Sequence, residues 1–268
     1  MTNENSELCC RQEWIDATDF FAESTGAVLN RVCERVADVV DHGGTPVVVF
    51  DLDSTLYEVQ PRTFQIIQEY LTSGAAAELP GAVYEGLQSL KMGDLAYSMR
   101  DAFTNIGLDT DLADVQTGLK KLGDFWWARF FKDDYIQYDV AYPGAQAYVS
   151  KVFDLGATLV YLTGRDFPNM GAGTLAAMKR DGFPVENERI IPMLKPEASM
   201  DDKKFKEEAI TKIASLGTLV ASFENEPANL VAMQKRLPNA LHVFVETISS
   251  DHTCFPGKNL YKIKGFSD

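Results

Sequence analysis

Val47–Leu56 reads VVVFDLDSTL. Four β-prone apolar residues stop at two aspartates, Asp51 and Asp53, with one residue between them. A short apolar run of this kind reads as a strand buried on both faces. An aspartate at its exit costs free energy if buried unpaired. Two so close repel each other unless a cation sits between them. The least strained reading is a magnesium-assisted phosphoryl-transfer site at the carboxyl edge of a parallel sheet, where open α/β folds place their ligands.

Upstream of that stretch, residues from about Glu13 to Asp41 are expected to form a helix. Leu29, Val32, Val36 and Val39 give it one apolar stripe, and His42-Gly43-Gly44 stops it. Downstream, from Tyr57 to about Tyr142, no strand is predicted. Pro61 can open a helix carrying Phe64, Ile67, Tyr70 and Leu71. Gly74, Pro80-Gly81, Gly93, Gly107 and Gly123 punctuate further helix-length segments. One of these holds the aromatic run Phe125–Phe131.

After Pro143 the pattern becomes β/α alternation. Ala157 to Leu162 reads as a strand running into Thr163-Gly164-Arg165. Arg189 to Pro192, Thr218 to Phe223 and Leu241 to Val245 read as strands, with helices over about Met170–Arg180, Asp201–Gly217 and onward to Arg236. A closing strand is expected at Leu260–Ile263. The predicted fold class is α/β: a Rossmann-like, doubly wound parallel sheet with right-handed crossovers and an inserted all-helical domain. Residues 1–56 and 140–268 make the α/β core, with 1–44 as an N-terminal helical extension, and 57–139 make the helical insertion. Three strands end in polar residues: Asp51/Asp53, Thr163 and Glu224. In a parallel sheet those ends share one edge, so residues remote in sequence converge there.

Composition narrows the partners. The chain has 268 residues, 46% hydrophobic and 24% charged, which is ordinary globular usage. A net charge of -14 argues against a nucleic-acid-binding surface but admits an anionic small substrate held by a metal and local cations. Cys9, Cys10, Cys33 and Cys254 show no zinc spacing and read as free thiols in a reducing compartment. The polar, acidic start MTNENSELCCRQEW does not read as a signal peptide. No apolar stretch approaches the ~20 residues of a membrane helix. A cytoplasmic protein without a membrane partner is expected. The leading helix is expected on the core, on the insertion or on a second subunit, so a homodimer stays open. His42, His242 and His252 have neither metal spacing nor a nucleophile partner and read as loop or strand-end residues.

By its motifs the chain resembles the haloacid dehalogenase-like (HAD) hydrolase superfamily, over about Thr45–Leu56 and Pro143–Val245. Asp51–Leu56, DLDSTL, matches the first motif: aspartate, any residue, aspartate, any residue, then Thr and an apolar residue. Tyr161–Arg165, YLTGR, matches the second, a strand ending in Thr or Ser. The resemblance implies a phosphatase-type member with magnesium as cofactor. Asp51 would be the nucleophile and form an aspartyl phosphate. Asp53 would protonate the leaving oxygen and then deprotonate the attacking water. Thr163, with Gly164 and Arg165 in the following turn, would bind the phosphoryl oxygens. The third motif is a lysine beside the nucleophile: Lys206 is favoured slightly over Lys195, while Lys203 and Lys204 read as solvated. The fourth motif is acidic. Phe223–Asn229, FENEPAN, stands where most members have aspartates. Glu224 is the preferred magnesium ligand with Asp51 and the Asp53 carbonyl; Asn225 is the runner-up, and Asn229 would orient the lysine or a water.

The insertion corresponds to the family's helical cap, expected to close over the edge and supply substrate contacts. Arg62, Tyr57, Arg100, Arg129 and Lys132 are candidates for holding an anionic substrate. The expected reaction is hydrolysis of a small phosphorylated metabolite. A dehalogenase or phosphotransferase on the same fold, and a non-catalytic binding or scaffold protein, are the alternatives; Asp53 speaks against the first and the unusual FENEP segment favours the last.

Overall fold

The computed structural model describes residues 8–267. The first seven residues, which entered the leader reading, and the side chain of Lys203 lie outside the described residues. In chain order the elements are α1 (Arg11–Ala17), α2 (Thr25–Asp41), β1 (Pro46–Phe50), β2 (Tyr57–Glu58), α3 (Gln60–Thr72), α4 (Gly81–Ser89), α5 (Met99–Asn105), α6 (Ala113–Phe130), α7 (Asp133–Ile136), β3 (Val140–Ala141), α8 (Ala145–Asp154), β4 (Thr158–Asp166), α9 (Phe167–Arg180), β5 (Ile190–Lys195), α10 (Asp202–Ile213), β6 (Thr218–Glu224), α11 (Pro227–Arg236), β7 (Leu241–Val245) and β8 (Tyr261–Ile263). Among the described residues no helix is long and apolar enough to cross a membrane.

The chain divides into two compact units. The first comprises Met1–Tyr57, Ala141–Pro168 and Met178–Asp268; the second comprises Glu58–Val140 and Asn169–Ala177. The first unit is a six-stranded parallel sheet in the order β5-β4-β1-β6-β7-β8. β1 lies inside it and is buried along its whole length. Its side chains alternate between two cores, as the strand period of two requires. Val48 and Phe50 face the helices α2 and α8. Val47 and Val49 face the helix α10, through Phe205, Ile210 and Ile213. An apolar strand covered on both faces is the doubly wound α/β arrangement.

The leading segment is two helices, not one. Ser24 caps α2 by accepting from the Ala27 N–H, and Phe20 pairs in parallel with Leu260. That pairing, with the Asp19 N–H donating to Gly257 O, draws residues 18–24 out of helical geometry. Both helices pack on the first unit: α2 through Val28, Leu29, Val32 and Val36, α1 through Trp14, which meets Phe20 and Phe244 edge to face.

The second unit is helical. Its core gathers Ile67, Tyr70, Leu87, Phe103 and Leu122. Gly118 is needed where α6 meets α4, since a Cβ there would come within 2.6 Å of Val83 Cγ1. Residues 57–142 do contain strand, contrary to expectation: β2 and β3 pair as a separate two-stranded sheet. The middle of α9, Asn169–Ala177, also joins this unit. It does so through Met170 and Ala177, which pack with Ile136, and through the Gly173 N–H, which donates to Asp133 Oδ1.

Candidate active site

Strand register brings the acidic residues together. Phe50 pairs with Phe223, so the next residues, Asp51 and Glu224, leave adjacent strands at the same level. Phe50 also pairs with Tyr161, which sets Thr163 two residues further along β4. The Asp51 N–H still donates to Phe223 O, at 3.0 Å, which fixes the backbone of the strand exit. Beyond it the chain turns sharply. Ser54 has φ of 60°, and the Leu56 and Tyr57 N–H groups both donate to Leu52 O, at 2.9 Å each.

Lys206 arrives from α10. Asp201 caps that helix, accepting from the Lys204 N–H at 2.9 Å. Lys206, Ile210 and Ile213 then share the face turned to the sheet, following the three- and four-residue helical step. The lysine Nζ donates to Asp51 Oδ1 at 2.9 Å and to Glu224 Oε2 at 2.8 Å. All three side chains are buried. Burial disfavours the ammonium, but Asp51 and Glu224 outweigh it and hold the Lys206 pKa well above its ordinary range. The Asp51 pKa is raised as well: burial, then the neighbouring Glu224, hold it well above the usual carboxylate value, against the pull of Lys206. Two buried acids share one cation.

Lys195 takes no part in that contact. β5 is longer than expected and includes it as its last residue, opposite Asp166; its Nζ donates to Met200 O at 3.2 Å. Of the two candidate lysines, Lys206 is the one in contact with Asp51.

The second motif also departs from expectation. β4 does not end at Leu162 but continues to Asp166, so Thr163, Gly164 and Arg165 are strand residues with a register irregularity between Leu162 and Asp166, not a turn. The Thr163 hydroxyl is fully buried, 3.5 Å from Asp53 Oδ2, and accepts from the Arg165 N–H at 3.3 Å. Arg165, expected among the phosphate contacts, forms a fork on Asp53. Its Nε donates to Oδ2 at 2.9 Å and its Nη2 to Oδ1 at 2.8 Å. The Arg165 side chain is buried while that of Asp53 is one-third exposed, so a fixed base holds the carboxylate toward an open side.

Asn225 has both ends of its amide committed. Oδ1 accepts from Thr55 Oγ1 at 3.1 Å and Nδ2 donates to Ile248 O at 2.7 Å. These two bonds tie the loop after β1 to the loop after β7. Three supports of the site were not anticipated. Thr55 sits inside the first motif but showed no sign of its partner. The Thr247 hydroxyl donates to Ser54 O. Glu226 accepts from the Ser250 N–H and hydroxyl at 2.8 and 2.6 Å.

Among the described residues no three of His, Cys, Asp and Glu form a ready metal cage. The donor chemistry still fits magnesium, which binds through one or two carboxylates and keeps several waters. Asp51, Asp53 and Glu224 are three acids answered by two cations, Lys206 and Arg165. Burial first, and then the nearby Glu224 and Asp53 charges, raise the Asp51 pKa.

The proposed anion-holding residues of the insertion are engaged within their own unit. Arg62 is fully buried and paired with Asp139, its Nε donating at 2.7 Å. Arg129 donates to Glu69 at 2.8 Å and lies over the Phe125 ring. Lys132 donates to Asn169 at 3.0 Å and Arg100 to Thr110 at 2.8 Å. The aromatic run divides: Phe125 packs on Tyr70 in the helical core, Trp126 stacks on Phe130, and Trp127 is exposed. Trp126 lines a cavity of about 260 Å³ with Thr63, Leu95, Tyr97 and Met99, inside the helical unit. Tyr57, in the first unit, is buried rather than at a mouth.

No protein-family model matches the chain, and no curated protein matches it in sequence. Solved structures do. A candidate phosphatase from Clostridium difficile superposes with a TM-score of 0.52 at 12% identity, covering 82% of this chain and 94% of the other. A haloacid dehalogenase-like family hydrolase from Streptococcus pneumoniae gives 0.44 at 13% identity over 82% and 93%. A predicted phosphoglycolate phosphatase from Haemophilus somnus gives 0.43 at 13% identity over 84% and 96%. With the Clostridium difficile structure the chain shares its α/β fold.

Proposed function

We propose that this chain is a magnesium-dependent phosphoric monoester hydrolase acting on a small phosphorylated metabolite. The observation that carries the reading is the contact of Lys206 with both Asp51 and Glu224 at the carboxyl edge of β1 and β6. An Asp51 oxygen would attack phosphorus as the bond to the leaving oxygen breaks, giving an aspartyl phosphate. Asp53 would hand a proton to the leaving oxygen, then take one from the attacking water. The Arg165 fork fixes the direction of the Asp53 carboxylate for both transfers. Lys206 and Thr163 would hold the phosphoryl oxygens where charge develops. Asp51, Glu224 and the Asp53 carbonyl would hold the magnesium, which when bound offsets the acids and polarises the phosphoryl group.

A second reading has one observation behind it. Lys206 already satisfies both Asp51 and Glu224, as a purely structural ion-pair network in a non-catalytic HAD-fold scaffold would require. Turnover of a generic aryl phosphate separates the two. The enzyme should release phosphate with magnesium and lose that activity in chelator. No release at any magnesium level would leave the scaffold.

A further inference from the structure

The N-terminal segment is strapped to the loop between β7 and β8, and a pair of cysteines faces across the seam. The Cys9 N–H donates to Cys254 O at 3.0 Å and the Cys254 N–H returns to Cys9 O at 3.1 Å, an isolated antiparallel bridge. Residues that exchange both hydrogen bonds stand directly opposite, with Cα atoms about 5.5 Å apart and side chains on one face. That spacing falls within the roughly 4.4–6.8 Å a disulfide spans. Cys254 is buried among Trp14, Leu230 and Phe244, and Cys9 packs on the same cluster from a more exposed position. Both are thiols here.

The seam is held in register on both sides of the pair. The Arg11 guanidinium donates to Thr247 O, and the Trp14 indole N–H donates to Phe255 O at 3.0 Å. The Gly257 N–H donates to Thr18 Oγ1 at 3.1 Å. On its other side the loop carries the braces of the candidate site: Thr247 on Ser54, Ile248 on Asn225 and Ser250 on Glu226. The competing thiols are placed apart. Cys10 caps α1, its N–H donating to Glu13 Oε2 at 3.2 Å, and Cys33, on α2, lies in a separate core.

We propose that Cys9 and Cys254 are a modification site, a reversible disulfide formed by a peroxide. The Cys9 sulfur, less buried than that of Cys254, attacks the peroxide, the O–O bond breaks, and a sulfenic acid and one water result. The Cys254 sulfur then attacks the Cys9 sulfur, the S–O bond breaks and a second water leaves. Two thiols and one hydrogen peroxide become a disulfide and two waters, and a dithiol reverses the bond by exchange. The order follows exposure, since burial raises the Cys254 thiol to about 11 and leaves little thiolate for the first step. The product would staple the strap to the loop that supports the site.

The test is peptide mapping of the folded, reduced full chain after hydrogen peroxide and rapid alkylation. A Cys9–Cys254 linked peptide is expected in wild type and in Cys10→Ser, absent in Cys9→Ser and Cys254→Ser, and removed by dithiothreitol. The oxidised wild type should melt on the order of 5–10 °C above the reduced protein, because the bond closes nearly the whole chain. Recovery of Cys9 and Cys254 as separate thiols or as sulfinic acids would overturn the proposal. So would a link that persists in Cys9→Ser through Cys10.

Discussion

Lys206 sits between two buried carboxylates, and removing it separates a structural from a merely local role. Lys206→Met leaves Asp51 and Glu224 facing each other without a cation. Breaking a buried pair in this way costs about 3–5 kcal/mol. The expected variant is less stable by that order in denaturant titration at neutral pH and lacks turnover. Its deficit should shrink toward acid pH as Asp51, whose pKa already lies above the usual carboxylate value, takes up a proton. A midpoint equal to wild type would deny the pair its role. Arg165 poses a different question, because its fork lies on Asp53. Arg165→Lys keeps the charge and loses the bidentate geometry. We expect kcat to fall about tenfold with KM nearly unchanged, and no further fall when Asp53 is already Asn, since the effect travels through that side chain. A raised KM with kcat intact would return Arg165 to the phosphate-binding role.

β6 and β7 are joined by a buried polar contact as well as by their ladder. Ser222 pairs in register with His242. The histidine Nε2 lies 2.9 Å from Leu237 O, an acceptor, so that nitrogen carries the hydrogen and Nδ1 accepts from the Ser222 hydroxyl at 2.8 Å. The sequence suggested a loop or strand-end histidine; the register places it inside the sheet. Burial holds the His242 pKa below its ordinary 6.5, the Leu237 bond opposing only in part. The unfolded chain therefore binds a proton at a higher pH than the folded one. The neutral ring's contribution is fully present above pH 6.5 and is lost as pH falls through the folded value. Thermal midpoints measured between about pH 7 and 5 should fall more steeply in wild type than in His242→Gln. Parallel curves would remove His242 as a source of acid sensitivity. The same strands show what a local pattern reveals. Val47–Phe50 is legible because burial on both faces demands continuous apolar residues. The overrun of β4 through Thr163-Gly164-Arg165 is not, because the pairing of Asp166 with Lys195 lies outside any local window.

The division into an α/β unit and a helical unit was legible from the change of pattern near Tyr142, since strand and helix periods differ. Asp51, Thr163 and Glu224 could be placed together because parallel strands share an edge. What stayed hidden were contacts set by folding as a whole: the choice of Lys206 over Lys195, the fork of Arg165 on Asp53, the loop at 246–250 beneath the site, and the burial of Arg62 against Asp139. Each joins side chains remote in sequence whose residue types also suit a solvated surface. The break at Thr18–Ser24 belongs with them, being imposed by pairing with the C-terminal loop. The reading that unites these parts is that the edge of the sheet presents Asp51 to phosphorus. The direct measurement is acid-quenched mass spectrometry of the protein during turnover of an aryl phosphate. One phosphoryl group should appear on Asp51 and be absent from Asp51→Asn, a variant that should remain folded and inactive. Phosphate release with no label on Asp51, or turnover near the wild-type rate in Asp51→Asn, would contradict it.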